Sequence, residues 1–315
     1  MRTVEFGRTG RQVSALALGC MSLRADAPQG GKPAVWRALE AGITFFDTAD
    51  VYGRGESEKL LGEALREAKV PREQVFIASK CGIVFPGMDA RYRYKAYDLS
   101  ADYITQSCEA SLKRLGVDYL DLYQPHRIDY LTHPGEVAGA LDELREEGKI
   151  RAIGLSNHHA DEIRAVCAYT RVESLQTEFS LLHLEPLQEG LHAVCMERKM
   201  AVLAWSPLAR GKLTGASAFS HSDWQEQRDL GVLAQVRDVA AALAVTPTQA
   251  ALAWLMALPG PVIPLLGTAN PEHVTEAVGA VKVSLKRDDW YELMTIARGR
   301  PMPWQQRPFA YHGER

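Results

Sequence analysis

Short apolar runs alternate along this chain with longer stretches whose apolar residues recur every three or four positions. The short runs read as strands buried on both faces, the longer ones as amphipathic helices. The runs end near Gly19, Asp47, Lys80, His126, Ser156, Gln176, Trp205 and Pro264. The stretches between them carry helix start and stop signals. Ser100 can cap a helix reaching Leu115, with Asp102 near its positive end and Gly116 just beyond it. Val137, Leu141 and Leu144 share one face of the next helix, which stops at Gly148. Thr246-Pro247-Thr248-Gln249 has the spacing of a capping box, with proline at the first helical position, before an apolar helix to Leu258. Asn270-Pro271-Glu272 starts another helix in the same way.

The chain opens on a hairpin that turns at Gly7-Arg8-Thr9-Gly10, and its second arm, Val13 to Leu18, leads to Gly19. That arm and the seven later runs make eight strand candidates. Strands separated by helices imply right-handed crossovers and a parallel sheet. An open, doubly wound sheet should carry a Gly-x-Gly-x-x-Gly turn after its first strand. Ala17-Leu18-Gly19-Cys20-Met21-Ser22 has a single glycine there. The expectation is therefore α/β: one (β/α)8 TIM barrel domain spanning residues 1–315, with an N-terminal β-hairpin.

Composition narrows the function more than the fold. With 315 residues and a net charge of −3, the chain offers no electrostatic reason to expect nucleic acid or an acidic membrane surface as partner. No apolar run approaches the roughly 18 residues of a membrane helix, and the start lacks a signal-peptide pattern. The five cysteines, Cys20, Cys81, Cys108, Cys167 and Cys195, are scattered without CxxC spacing. They read as reduced thiols in a cytoplasm, and neither a disulfide framework nor a metal site is expected.

The chemistry lies at the strand ends. Gly42-Ile43-Thr44-Phe45-Phe46-Asp47 ends in a carboxylate, and Tyr52 follows five residues later in a glycine-containing loop. Val75-Phe76-Ile77-Ala78-Ser79-Lys80 ends in an amine, and Tyr119-Leu120-Asp121-Leu122-Tyr123-Gln124-Pro125-His126 in an imidazole. In a parallel barrel these groups meet on the C-terminal rim, where such folds do their chemistry. A phenol is a poor proton donor at neutral pH unless its anion is stabilised. Lys80 would lower the pKa of Tyr52, with Asp47 holding the ammonium in place. His126 could hydrogen-bond a carbonyl oxygen and help to bear its developing charge. No serine or cysteine has the setting of an acyl-transfer nucleophile, so the attacking group should be hydride from a nicotinamide. Singly, each of these residues is also explained as a surface ion pair, a loop closure or a core histidine.

Taken together, the segments resemble the aldo-keto reductase family along essentially the whole chain, most of all its bacterial YdhF-type oxidoreductases. The likeness continues through Gly148-Lys149-Ile150-Arg151-Ala152-Ile153-Gly154-Leu155-Ser156-Asn157 and Ala204-Trp205-Ser206-Pro207-Leu208-Ala209-Arg210-Gly211. It implies a catalytic tetrad of Asp47, Tyr52 as general acid, Lys80 and His126. It implies cofactor contacts from Gly19, Met21 and Asp47, with Ser156, Asn157 and Gln176 on the carboxamide side. Trp205 replaces the usual aromatic, most often tyrosine, on the nicotinamide ring, and Ser206, Leu208 and Gly211 wrap the pyrophosphate; Trp205 and Leu208 are also explained simply as packing residues. Thr268, Asn270, His273 and Glu276 fall in the segment that grips a 2′-phosphate, where many members have lysine and arginine. NADP(H) is expected, with NAD(H) open.

The resemblance also implies a C-terminal tail over the rim and a small-molecule carbonyl substrate. Arg91, Tyr92, Arg93 and Tyr94 in the loop after Cys81 would line its pocket. So would Trp304, Phe309, Tyr311 and His312 in the tail from Arg300. The alternative is a cofactor-sensing regulatory subunit of the same fold with little turnover.

Overall fold

The computed structural model describes residues 1–27, 31–215, 224–300 and 302. The tail residues Trp304, Phe309, Tyr311 and His312 lie outside them. An antiparallel pair, β1 (Thr3–Glu5) and β2 (Gln12–Ser14), opens the chain. The barrel begins with β3 (Ala17–Gly19), β4 (Phe45–Asp47) and β5 (Phe76–Cys81). A small antiparallel ribbon, β6 (Ile83–Val84) with β7 (Ala96–Tyr97), then stands in the loop after β5. The barrel continues with β8 (Leu120–Pro125), β9 (Ile150–Ser156), β10 (Ser174–Glu178), β11 (Ala201–Trp205) and β12 (Val262–Leu266). Chain neighbours pair in parallel throughout, and β12 pairs back onto β3 to close the cylinder.

Helices cover the outside. The crossovers carry α1 (Lys32–Glu40), α2 (Glu56–Glu67), α3 (Ala101–Leu115), α4 (Pro134–Glu146) and α5 (Ala160–Cys167). The short α6 (Glu185–Gln188) precedes α7 (Leu191–Arg198), and α8 (Trp224–Ala242) and α9 (Pro247–Met256) follow β11. After β12 come α10 (Pro271–Val278) and α11 (Arg287–Arg298). The expected caps are in place: Ser100 accepts from the Tyr103 N–H, Gly116 takes the left-handed conformation, and Thr246 and Gln249 form their box. Among the described residues no single helix is long and apolar enough to cross a membrane.

The arm expected from Val13 to Leu18 is two strands rather than one. Ser14 marks the break, because its hydroxyl donates to the Leu16 carbonyl at 2.7 Å and accepts from the Thr44 and Phe45 N–H groups. The chain thereby leaves β1 and joins β4. The hairpin turn then plugs the barrel floor, where the Phe6 ring lies 4.7 Å from Phe76 and 5.8 Å from Phe45, centre to centre.

The interior above that floor holds Ala17, Phe45, Ala78, Leu122, Ala152 and Leu203 among others. Side chains on a strand alternate faces. The inward face therefore runs from Phe45 to Asp47, from Ala78 to Lys80, from Leu122 through Gln124 to His126, and from Leu203 to Trp205. One periodicity stacks an apolar floor beneath a polar rim.

Candidate active site

Lys80 is the centre of the rim. Its ammonium is fully buried and donates to Asp47 Oδ2 at 2.8 Å, to the Thr48 carbonyl at 2.7 Å and to the Tyr52 hydroxyl at 3.3 Å. Gln176, from the far side of the barrel, donates its amide to the other Asp47 oxygen at 2.8 Å. Asp47 is thus fixed at both oxygens. The imidazole of His126 stands edge-on to the Tyr52 ring, 5.7 Å between centres. The four residues expected to work together are brought together.

Their electrostatics differ from the sequence expectation at one point. Burial raises the pKa of Tyr52, and the opposing charge of Lys80 does not overcome it. The phenol therefore remains a hydroxyl through the neutral range. Burial would strip the proton from Lys80, but Asp47 and Tyr52 outweigh it and hold its pKa above the ordinary value. His126 is driven well below the usual imidazole range by burial first, then by the charges of Lys80, Arg127 and Lys95. It is a neutral ring whose Nδ1 is buried without a hydrogen-bond partner among the described residues.

Beside the tetrad lies a second polar group. Asn157 takes a left-handed backbone, φ 57°, at the end of β9. Its amide donates to Ser156 Oγ at 2.8 Å and to the His126 carbonyl at 3.1 Å, and its Oδ1 accepts from the Trp205 indole N–H at 2.9 Å. Ser156 is fully buried, and its oxygen keeps its own proton to donate. Trp205 is tied to this cluster by a hydrogen bond, which mere packing would not require.

The remaining predicted cofactor positions frame the mouth. Gly19 ends β3, and Met21 follows in an exposed turn, 64 % accessible. After β11 the chain coils tightly, with left-handed φ angles at Ser206 (49°), Ala209 (49°), Arg210 (57°) and Gly211 (89°), and Leu208 accepts the Gly211 N–H. Three non-glycine residues in that region are strained, and alternating conformations of this kind make concavities suited to anions. At α10, Asn270 caps the helix by accepting from the Glu272 N–H at 2.9 Å. Thr268 Oγ1 accepts the Asn270 N–H and lies 3.1 Å from His273 Nδ1. His273 is exposed and Glu276 half-buried beyond it. None of these four positions carries a lysine or an arginine.

The loop residues expected to meet substrate are partly engaged elsewhere. Arg91 pairs with Asp89 at 2.7 Å, and the Tyr92 hydroxyl donates to Asp98 at 2.6 Å. Arg93 is exposed, and Tyr94 is 81 % accessible. Cys81 is buried, and burial raises its thiol pKa well above the ordinary value, so it is an inert thiol.

Comparisons with known proteins span nearly the whole chain. The pattern of the Aldo/keto reductase family matches residues 15–298. The 6-dehydroglucose reductase of Novosphingobium aromaticivorans is 37 % identical, covering 95 % of this chain and 96 % of its own. The chain belongs to the aldo/keto reductase family. A fission-yeast member, the NADP(+) aldo-keto reductase yakc of Schizosaccharomyces pombe, is 32 % identical over 87 % of this chain and 85 % of its own. Among solved structures, the glycerol dehydrogenase AKR11B4 of Gluconobacter oxydans superposes with a TM-score of 0.84 at 27 % identity, covering 97 % and 98 % of the two chains. As an aldo-keto reductase, the chain is a carbonyl oxidoreductase.

Sequence reasoning missed the support behind this site. Glu58, on α2, is fully buried and accepts from the Ser79 hydroxyl at 2.6 Å and from the Arg114 guanidinium. Glu58 falls on the same side of α2 as Leu61 and Leu65, and an acidic residue on that buried side was the available signal.

Proposed function

We propose that this chain is an NADP(H)-dependent reductase of aldehydes or ketones in which Tyr52 gives the proton to the nascent alkoxide. The observation that carries the reading is the Lys80 ammonium, buried between Asp47 Oδ2 at 2.8 Å and the Tyr52 hydroxyl at 3.3 Å. As the phenol loses its proton, its oxygen acquires negative charge 3.3 Å from a desolvated cation. Such a fixed charge stabilises the developing anion without solvent reorganisation. His126, neutral because burial keeps it so, can donate one hydrogen bond to the carbonyl oxygen and polarise it. Asp47, held from both sides, keeps the ammonium in line.

A bound nicotinamide would supply the hydride that no side chain can. Ser156, Asn157 and Gln176 would hold its carboxamide, with Trp205 against the ring. The strained Ser206–Gly211 coil, with Leu208 within it, would take the pyrophosphate. Gly19 and Met21 would border the ring, and Thr268, Asn270, His273 and Glu276 the adenosine end. The capped N-terminus of α10 suits a 2′-phosphate, and one relative is named an NADP(+) enzyme. A sugar aldehyde is the first substrate to try, since two relatives are named 6-dehydroglucose reductases.

The test is a titration of the protein with NADPH and NADH followed by tryptophan fluorescence, then turnover with a panel of aldehydes. Selective NADPH binding with turnover supports the reading. Binding without turnover of any carbonyl would favour a sensing subunit, and no binding would remove the cofactor assignment.

A further inference from the structure

Asp50 lies two residues before Tyr52 in the loop that carries the phenol, and it is 4 % exposed. Its N–H donates to the Lys80 carbonyl at 3.2 Å, which ties this loop to β5. Its carboxyl oxygen Oδ1 is buried with no hydrogen-bond partner among the described residues. The charged and titratable groups around it come from four elements: Glu58 on α2, Arg114 and Tyr103 on α3, Lys80 and Cys81 on β5, and Tyr123 on β8.

Charge counting in this nook is decisive. Arg114 is spent on Glu58, which pairs with no other cation among the described residues. Lys80 is spent on Asp47. That leaves Asp50 as a buried carboxyl with a carboxylate neighbour and, among the described residues, no ion-pair partner; the Val51 N–H and the more distant charges of Arg114 and Lys80 only partly offset this. An isolated ionised carboxylate in such a place is costly, and the group takes a proton instead. Burial first, and the charge of Glu58 second, push it up to about 8.

Ala49, Val51 and Ile83 make a small apolar cluster beside the loop, with Tyr52 and Met88 packed against it.

We propose that Asp50 is a positioning residue for Tyr52: as a neutral acid it lets the loop close on the buried Glu58–Arg114 pair, and its ionisation loosens the loop and withdraws the phenol from Lys80. The proton goes to solvent and no other bond changes. The proposal rests on the reductase reading above.

The experiment compares kcat/KM for NADPH-dependent aldehyde reduction by wild type and Asp50→Asn from about pH 6 to about pH 9.5. Wild type is expected to lose about tenfold or more of its neutral activity with a midpoint about 8. Asp50→Asn, normalised to its own value at neutral pH, should keep that activity across the same range. Superimposable normalised profiles would overturn the proposal. Since the variant could fail to fold, carbon-13 NMR of aspartate-labelled wild type gives a second readout. One carboxyl should titrate between about pH 7 and about pH 9; none doing so would overturn the proposal whatever the variant does. A wild type that reduces no carbonyl at any pH, yet shows the titrating carboxyl, would count against the reductase reading and leave the protonated Asp50 in place.

Discussion

Lys80 and Asp47 form an ion pair of 2.8 Å in which neither side chain has more than 3 % of its surface exposed. Removing one partner from such a pair leaves the other as an uncompensated buried charge. Lys80→Met should therefore cost about 3–5 kcal/mol in urea unfolding as well as carbonyl reduction. A variant of wild-type stability would mean that the pair is solvated in solution.

Tyr52→Phe keeps the ring beside His126 and removes only the hydroxyl that lies 3.3 Å from Lys80. Reduction should fall by about 10²–10⁴-fold in kcat, while the NADPH dissociation constant stays within about twofold. Steady-state kinetics and fluorescence titration separate the two quantities. Unchanged kcat would assign the proton to another donor.

His126 makes stability depend on pH in a defined direction. Its folded pKa lies below the usual 6.5, so between those values the unfolded chain binds more protons than the folded one. Stability must then rise with pH across that window and be lost as pH falls below about 6.5. Melting temperatures of wild type and His126→Asn between about pH 5 and about pH 7 test this. The variant should show the shallower slope.

Trp205→Phe deletes the N–H that reaches Asn157 Oδ1 at 2.9 Å. A hydrogen bond of this kind contributes about 0.5–1.5 kcal/mol. Dinucleotide affinity should weaken by about two- to tenfold, and most of the fluorescence response to cofactor should disappear. A variant with the wild-type response would place the reporting tryptophan elsewhere.

At the adenosine end, Asn270→Lys with His273→Arg adds fixed cations beside the α10 N-terminus. Affinity for NADPH should rise by about tenfold, more at low salt than at high, with NADH unchanged. An equal gain for both nucleotides would show that these positions do not meet the 2′-phosphate.

Much of this molecule is written in local pattern. Alternating periodicities and the caps at Ser100, Thr246 and Asn270 announce a barrel, because a strand buried on both faces and a one-sided helix have few ways to pack. Strand ends at Asp47, Lys80 and His126 announce a rim, because the side-chain period of two fixes which residues face inward. Local pattern has no access to depth or to contacts across the cylinder. Gln176 reaches Asp47 over 129 residues, and Trp205 reaches Asn157, only because eight strands close on themselves. The ribbon of Ile83–Val84 with Ala96–Tyr97 is too short to carry a period. Depth also reversed one expectation: the sequence shows a lysine near a tyrosine, but whether charge or desolvation governs the phenol depends on how much water the packed rim excludes. Desolvation governs Tyr52, and it also keeps His126 neutral and Asp50 protonated.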